Sequence, residues 1–225
     1  MILDIPDVVA PDQLAALRAE LEAATWIDGR ATAGHQGARV KDNQQLAQDN
    51  PTAVSVGRTI VAALNRNPLF MSAALPLHIL PPLFNRYSGG QQFGTHVDGS
   101  VRVMPNGQRI RTDLSCTLFI AGPEEYEGGE LIIEDTYGAK AVKLPAGHMI
   151  LYPSTSLHHV KPVTAGTRLC SFFWLQSMVR DDQKRSLLFD TDIAIQRLAA
   201  EQPDHASVVQ LTGVYHNLLR QWAEM

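Results

Sequence analysis

Residues 85–98 read NRYSGGQQFGTHVD, and the rest of the chain is organised around this stretch. Short β runs over 83–87 and 94–97 flank the turn signal Ser88-Gly89-Gly90. His96 and Asp98 are separated by one apolar residue. On an extended strand the imidazole and the carboxylate therefore share a face, while Val97 points to the other. An imidazole and a carboxylate on one face are two-thirds of a 2-His-1-carboxylate set, the arrangement that holds non-haem Fe(II) with positions left open. A His-x-Asp triplet alone decides nothing, so its meaning depends on the rest of the chain.

From residue 76 onward the pattern is one of short strands. Beyond the two above, the residue types and turn signals predict strands over 78–80, 114–121, 130–134, 141–144, 149–152 and 169–178. Pro105-Asn106-Gly107, Gly128-Gly129, Pro145-Ala146-Gly147 and Ala165-Gly166 mark turns between them. Short strands without a βαβ rhythm point to a mainly β jelly roll or barrel, not to a parallel α/β sheet. Helices flank it. Leu14, Leu17 and Leu21 recur at helical spacing within 11–26, and Asn50-Pro51 opens a second helix that reaches Asn65. After residue 178 an amphipathic run over 181–200 stops at Pro203, and Val208, Leu211, Tyr215, Leu218 and Trp222 form a heptad-like seam. That seam suits a helical hairpin packed on the roll or a homo-oligomer contact. The expected division is a helical support over 1–75, a β domain over 76–178 and a helical extension over 179–225. Residues 30–50 are polar and Gly-rich, with Val40 and Leu46 as the sizeable apolar anchors; they read either as a lid or binding loop or as a connector.

A chain of 225 residues, 45% hydrophobic and 19% charged, suits one globular domain with appendages. The net charge of −4 gives no electrostatic case for a nucleic-acid partner. The acids in MILDIPDVV are wrong for a signal peptide, and three prolines interrupt the apolar stretch over 71–84, so no membrane segment is expected. Cys116 and Cys170 form no CxxC pair and read as reduced core residues of a cytoplasmic protein.

The chain has eight histidines, and the seven besides His96 can be sorted by elimination for a third ligand. His35 lies in the polar loop, His78 precedes the motif, His148 sits in a turn, and His205 and His216 fall in the last helices. His158 and His159 remain, adjacent in sequence, and alternation allows only one of them to face a metal. Both can equally be polar strand-end residues. Ten residues after His158, Arg168 enters the apolar run LCSFFW. If buried, its guanidinium needs an anion, and its planar fork suits a carboxylate. A surface arginine leaving a turn is the plainer reading.

The order Tyr87, Gly90, Phe93, His96, Asp98, then His158 and Arg168 resembles the prolyl-hydroxylase-like Fe(II)/2-oxoglutarate oxygenases. The match includes Arg111–Leu114, Gly128–Leu131 and Tyr152–Arg168. The stretches over 29–46, 80–87 and 171–182 resemble the bacterial PKHD-type hydroxylases, so the likeness runs through nearly the whole chain. It implies a double-stranded β-helix core and a 2-oxoglutarate-dependent dioxygenase with Fe(II), O2 and L-ascorbate. It also implies His96, Asp98 and His158 as metal ligands, Arg168 on the far carboxylate of 2-oxoglutarate, and Tyr87 helping to hold that cosubstrate. His158 is chosen over His159 by its place between Leu157 and Val160. Glycines 89 and 90 serve the turn. Leu83, Phe172 and Trp174 are candidate apolar walls of the site, although core packing explains each singly. The substrate implied is a prolyl or lysyl side chain or a small metabolite, with a link to iron suggested by the likeness alone. Specificity should lie in residues 30–50 and in a hairpin from Arg102 to Arg111, whose basic residues suit an acidic substrate. The competing readings are a cupin-type metalloprotein, which gives Arg168 no role, a non-catalytic β roll sensing 2-oxoglutarate or iron, and an interaction protein built on the C-terminal seam.

Overall fold

The computed structural model describes residues 1–32, 37–136 and 138–225. Strand β1 (Leu3–Ile5) precedes α1 (Pro11–Glu22), which buries Leu17 and Leu21. This helix stops short of Trp26: the Trp26 indole N–H turns back onto the Leu21 carbonyl at 3.1 Å, and the chain enters β2 (Ile27–Asp28). The polar segment that follows is built into the fold. Its short helix α2 (Gly37–Val40) leads to β3 (Lys41–Asp42) and β4 (Gln44–Gln45). Leu46 is buried as expected, whereas Val40 is exposed. His35 lies outside the described residues.

Helix α3 (Pro51–Leu64) starts as its sequence predicts, with the Asn50 side chain accepting from the Thr52 and Ala53 N–H groups. The same Asn-Pro signal at residues 67–68 starts α4 (Pro68–Ala74), a helix that apolar periodicity alone did not announce. The strands then run β5 (Pro76–Ile79), β6 (Leu83–Ser88), β7 (Gln92–His96), β8 (Val101–Val103), β9 (Arg109–Arg111), β10 (Leu114–Phe119), β11 (Tyr126–Gly128) and β12 (Leu131–Asp135). They continue with β13 (Gly138–Val142), β14 (Met149–Pro153), β15 (His158–Val160) and β16 (Val163–Ser177). The last of these begins earlier than the apolar run suggested, because polar Thr164 to Thr167 extend it along β11 and β6. Helices α5 (Asp182–Glu201) and α6 (Ala206–Trp222) close the chain.

Every strand pair is antiparallel. The large sheet has the order β1-β14-β10-β16-β6-β4-β2, with β11 and β5 also on β16, and the smaller one is β13-β12-β15-β7-β3. This is a jelly-roll core with flanking helices, as the strand pattern predicted. Leu17, Leu21, Val56 and Ile60 of the N-terminal helices join Phe84, Leu118 and Phe173 of the large sheet in one buried cluster. The C-terminal seam is partly buried: Tyr215, Leu218 and Trp222 pack on Leu75, Val179 and Leu188. Cys116 and Cys170 are buried free thiols. Among the described residues no helix is long and apolar enough to cross a membrane.

The turn after β11 depends on glycine. Gly128 has φ +68°, and a Cβ there would lie 2.1 Å from the Pro162 carbonyl oxygen. Gly128→Ala should therefore cost about 2 kcal/mol or more, read from urea unfolding; a loss within the ordinary surface range would show that the turn relaxes freely.

Candidate active site

Sheet register brings the chemistry together. A cavity of about 890 Å³ is lined by residues of both sheets. Along β16 the even-numbered residues Arg168, Cys170, Phe172 and Trp174 all line it, as strand alternation requires. Leu83, Asn85 and Tyr87 do the same from β6, with Tyr87 opposite Arg168 and Asn85 opposite Cys170. On the smaller sheet His158 of β15 lies opposite His96 of β7, with ring centroids 4.2 Å apart.

His96, Asp98 and His158 each offer a donor atom, and these atoms lie within 4.8 Å of one another. Among the described residues this is the one such group. The strand geometry expected for Val97 is not what positions them: β7 ends at His96, and Asp98 comes from the segment beyond it. Val97 is half exposed, because the chain has already left the sheet. Both imidazoles are oriented from behind. His96 Nδ1 lies 2.8 Å from the Gly94 carbonyl and His158 Nδ1 lies 3.0 Å from the Ser156 carbonyl. A carbonyl can only accept, so each Nδ1 carries a proton, and Nε2 is the atom each neutral ring would offer to the cavity. Burial, reinforced by the facing His158, pushes His96 down to about 4, which keeps it neutral at pH 7. Ser115 donates to Asp98 Oδ2 at 2.6 Å, and Ser154 lies 2.8 Å from Ser115. His159 is not among the residues that line the cavity, and it lies opposite Ile132 of β12 in register.

Arg168 is 1% exposed, so it is not a surface residue leaving a turn. Its Nη1 donates to Cys170 Sγ at 2.8 Å, while its Nε is buried without a hydrogen-bond partner. Among the described residues no carboxylate lies within ion-pair distance of it. A Cβ on Gly129 would lie 3.1 Å from Arg168 Cδ, so the glycine after the β11 turn makes room for the side chain. Tyr87 is buried beneath the guanidinium, its ring centroid 5.4 Å from Arg168 Cζ. Burial raises its phenol well above the usual value, so the hydroxyl stays protonated. Asn85 Nδ2 donates to it at 3.2 Å. A buried cation without a carboxylate partner fits an anionic ligand, and three donors with free lone pairs fit a metal ion.

Leu83, Phe172 and Trp174 all line the cavity, which absorbs the wall role predicted for them. Two polar residues of the site, Ser115 and Lys41, were not singled out beforehand. Ser115 had a signal in its strand, as a polar residue within LSCTLF. Lys41 had none, because a lysine in a polar stretch reads as solvated. It is 5% exposed, since β3 pairs with β7 and sets Lys41 opposite Phe93. Its Nζ donates to Gln45 Oε1 at 2.6 Å and lies 5.5 Å from the Phe93 ring. Arg102 was expected in a hairpin running to Arg111, and β8 and β9 form that hairpin, with Arg102 over Trp174.

Comparison with known proteins agrees with this geometry. Residues 82–176 match the family model of the 2OG-Fe(II) oxygenase superfamily, and residues 182–224 match that of the PKHD-type hydroxylase C-terminal domain. A Pseudomonas putida prolyl-4-hydroxylase has a similar fold, with a TM-score of 0.52 at 19% identity over 78% of this chain and 92% of that one. Streptomyces hygroscopicus HygX, solved with nickel and 2-oxoglutarate bound, gives 0.54 at 16% identity, covering 78% and 82%. Fold and cavity thus define an enzyme of the Fe(II)- and 2-oxoglutarate-dependent oxygenase class. A PKHD-type hydroxylase of Paraburkholderia phymatum is 60% identical over the full length of both chains. The chain belongs to the PKHD-type hydroxylases.

Lys41 sets a pH dependence. Burial, with Arg102 nearby, pulls its ammonium down to about 8. The cavity therefore carries this positive charge below that pH and loses it above, and its affinity for anions should fall as pH rises through 8. Titration of 2-oxoglutarate with a redox-inert divalent metal, on both sides of pH 8, should show the fall in the wild type and a flatter curve in Lys41→Met. Equal slopes would remove Lys41 from the electrostatics of the cavity.

Proposed function

We propose that His96, Asp98 and His158 hold Fe(II) through two imidazole Nε2 atoms and one carboxylate oxygen. In the same reading Arg168 pairs with the far carboxylate of 2-oxoglutarate, helped by the Tyr87 hydroxyl. The chain is then a hydroxylase that converts an unactivated C–H of its substrate to C–OH. The observation that carries this reading is the pairing, in one cavity, of a three-donor group with a buried arginine that lacks a carboxylate partner.

Bound Fe(II) supplies the oxidising chemistry, in which one O2 hydroxylates the substrate and converts 2-oxoglutarate to succinate and CO2. The protein's residues position and shield. The Gly94 and Ser156 carbonyls hold the Nδ1–H of the two histidines, so that Nε2 is the ring atom each neutral imidazole offers to a metal. Ser115 donates to Asp98 Oδ2, the oxygen that lies 3.7 Å from His158 Nε2, and so holds the carboxylate in place beside the imidazole. Arg168 orients an incoming dicarboxylate by its distal end, and Phe172 and Trp174 keep water from part of the wall. The acceptor is a prolyl or lysyl side chain or a small metabolite, and L-ascorbate is the expected reductant. Family membership favours this over a cupin-type metalloprotein, and the release of succinate separates it from a sensor that binds without turnover.

Anaerobic addition of Fe(II) and 2-oxoglutarate should give a visible charge-transfer band in the wild type and in His159→Ala but not in His158→Ala. The reverse pattern would move the ligand by one residue, and no band with iron bound would sink the oxygenase assignment. Ser115→Ala should weaken metal binding by about tenfold to a hundredfold, measured by competition with a chelating dye.

A further inference from the structure

Arg168 and Lys41 are buried cations of the cavity, and the partly buried Arg102 adds another. Arg102 lies on β8, and its guanidinium carbon sits 4.0 Å from the centroid of the Trp174 ring. Its Nε is buried and has no hydrogen-bond partner. No carboxylate among the described residues lies within ion-pair distance of it. Asp98 is the acid within electrostatic reach, and that carboxylate already accepts from Ser115 and faces His158 at 3.7 Å.

The direction of the fork is informative. A Cβ on Gly99 would lie 3.9 Å from Arg102 Nε and 4.0 Å from its Nη2. The edge with which an arginine binds an oxyanion bidentately therefore faces a residue without a side chain, and Gly99 itself lines the cavity. Nor is the arginine on a free tip. Ile110, its cross-strand partner on β9, is 1% exposed and packs with Leu80 and Trp174. The neighbouring Arg111 is pinned to Asp113 at 2.6 and 3.1 Å. A purely anchoring role over Trp174 would leave the Nε proton unsatisfied, at the cost of a missing hydrogen bond.

We infer that Arg102 is a specificity-determining residue that receives an oxyanion of the substrate, a carboxylate or a phosphate, so that the hydroxylated molecule is acidic. This rests on the cosubstrate assignment above, since with Arg168 vacant of 2-oxoglutarate the anion at Arg102 could be the cosubstrate itself. The substrate's anionic group is held at the hairpin while its reacting carbon lies toward the three-donor group.

The test uses three probes of equal shape class, 3-phenylpropanoate, phenyl phosphate and 3-phenylpropanamide. They are titrated by ligand-observed NMR into the full chain loaded with Zn(II) and N-oxalylglycine, which fills the Arg168 end. At least one anion should bind about tenfold or more tightly than the amide, and the tighter of the two identifies carboxylate or phosphate. Arg102→Gln should abolish the preference and Arg102→Lys should keep part of it, with thermal melts confirming that both fold. Equal binding of acid and amide by the wild type, or an undiminished preference in Arg102→Gln, would overturn the inference. Failure of N-oxalylglycine to bind would overturn the cosubstrate assignment instead, and the same titration without it would still decide Arg102.

Discussion

The structure depends on a positive charge that has been taken out of water. Arg168 is almost completely buried, its Nη1 meets a thiol, and its Nε meets nothing. A guanidinium cannot relieve such a position by losing its proton, because it stays charged at any pH a protein survives. The fold carries this cost, which an anion held in the cavity would offset. The surrounding residues make sense in those terms. Gly129 yields space to the stem, Tyr87 offers a hydroxyl that burial keeps protonated, and Cys170 fills the remaining side without adding a negative charge.

Antiparallel register converts that local demand into a site. One pairing sets Tyr87 opposite Arg168 on the large sheet, and another sets His158 opposite His96 on the small one. A slip of one residue in either pair would turn its functional side chains to the other face. The long strand β16 is the common element, because it pairs with β6, β10, β11 and β5 and supplies five residues to one cavity, the alternate Arg168, Cys170, Phe172 and Trp174 together with Phe173. The hairpin β8–β9 is then fixed beside the cavity by packing of Ile110 on Trp174 of that same strand.

Much of this was legible beforehand, and the misses have physical causes. Strand alternation and turn glycines gave the jelly roll, and Asn50-Pro51 gave the start of α3. The pair Asn67-Pro68 carried the same information for α4, but the helix is short and its apolar residues follow no long period. The ordering of residues 37–46 was hidden, since the two-residue strands β3 and β4 are held in the sheets by β7 and β6, forty or more positions away. Alternation was the wrong reason for the closeness of His96 and Asp98, because the strand ends between them.

The sequence by itself determined the class of fold, the His96-x-Asp98 pair and the order of the residues that follow it, because these depend on local spacing and residue type. Tertiary structure decided between His158 and His159 as the residue facing the cavity, since only cross-strand pairing fixes which face a strand residue takes. It also decided that Arg168 and Lys41 are buried and that Arg102 stands over Trp174. Charged side chains announce exposure by their chemistry, and only the packing of distant segments around them reverses it.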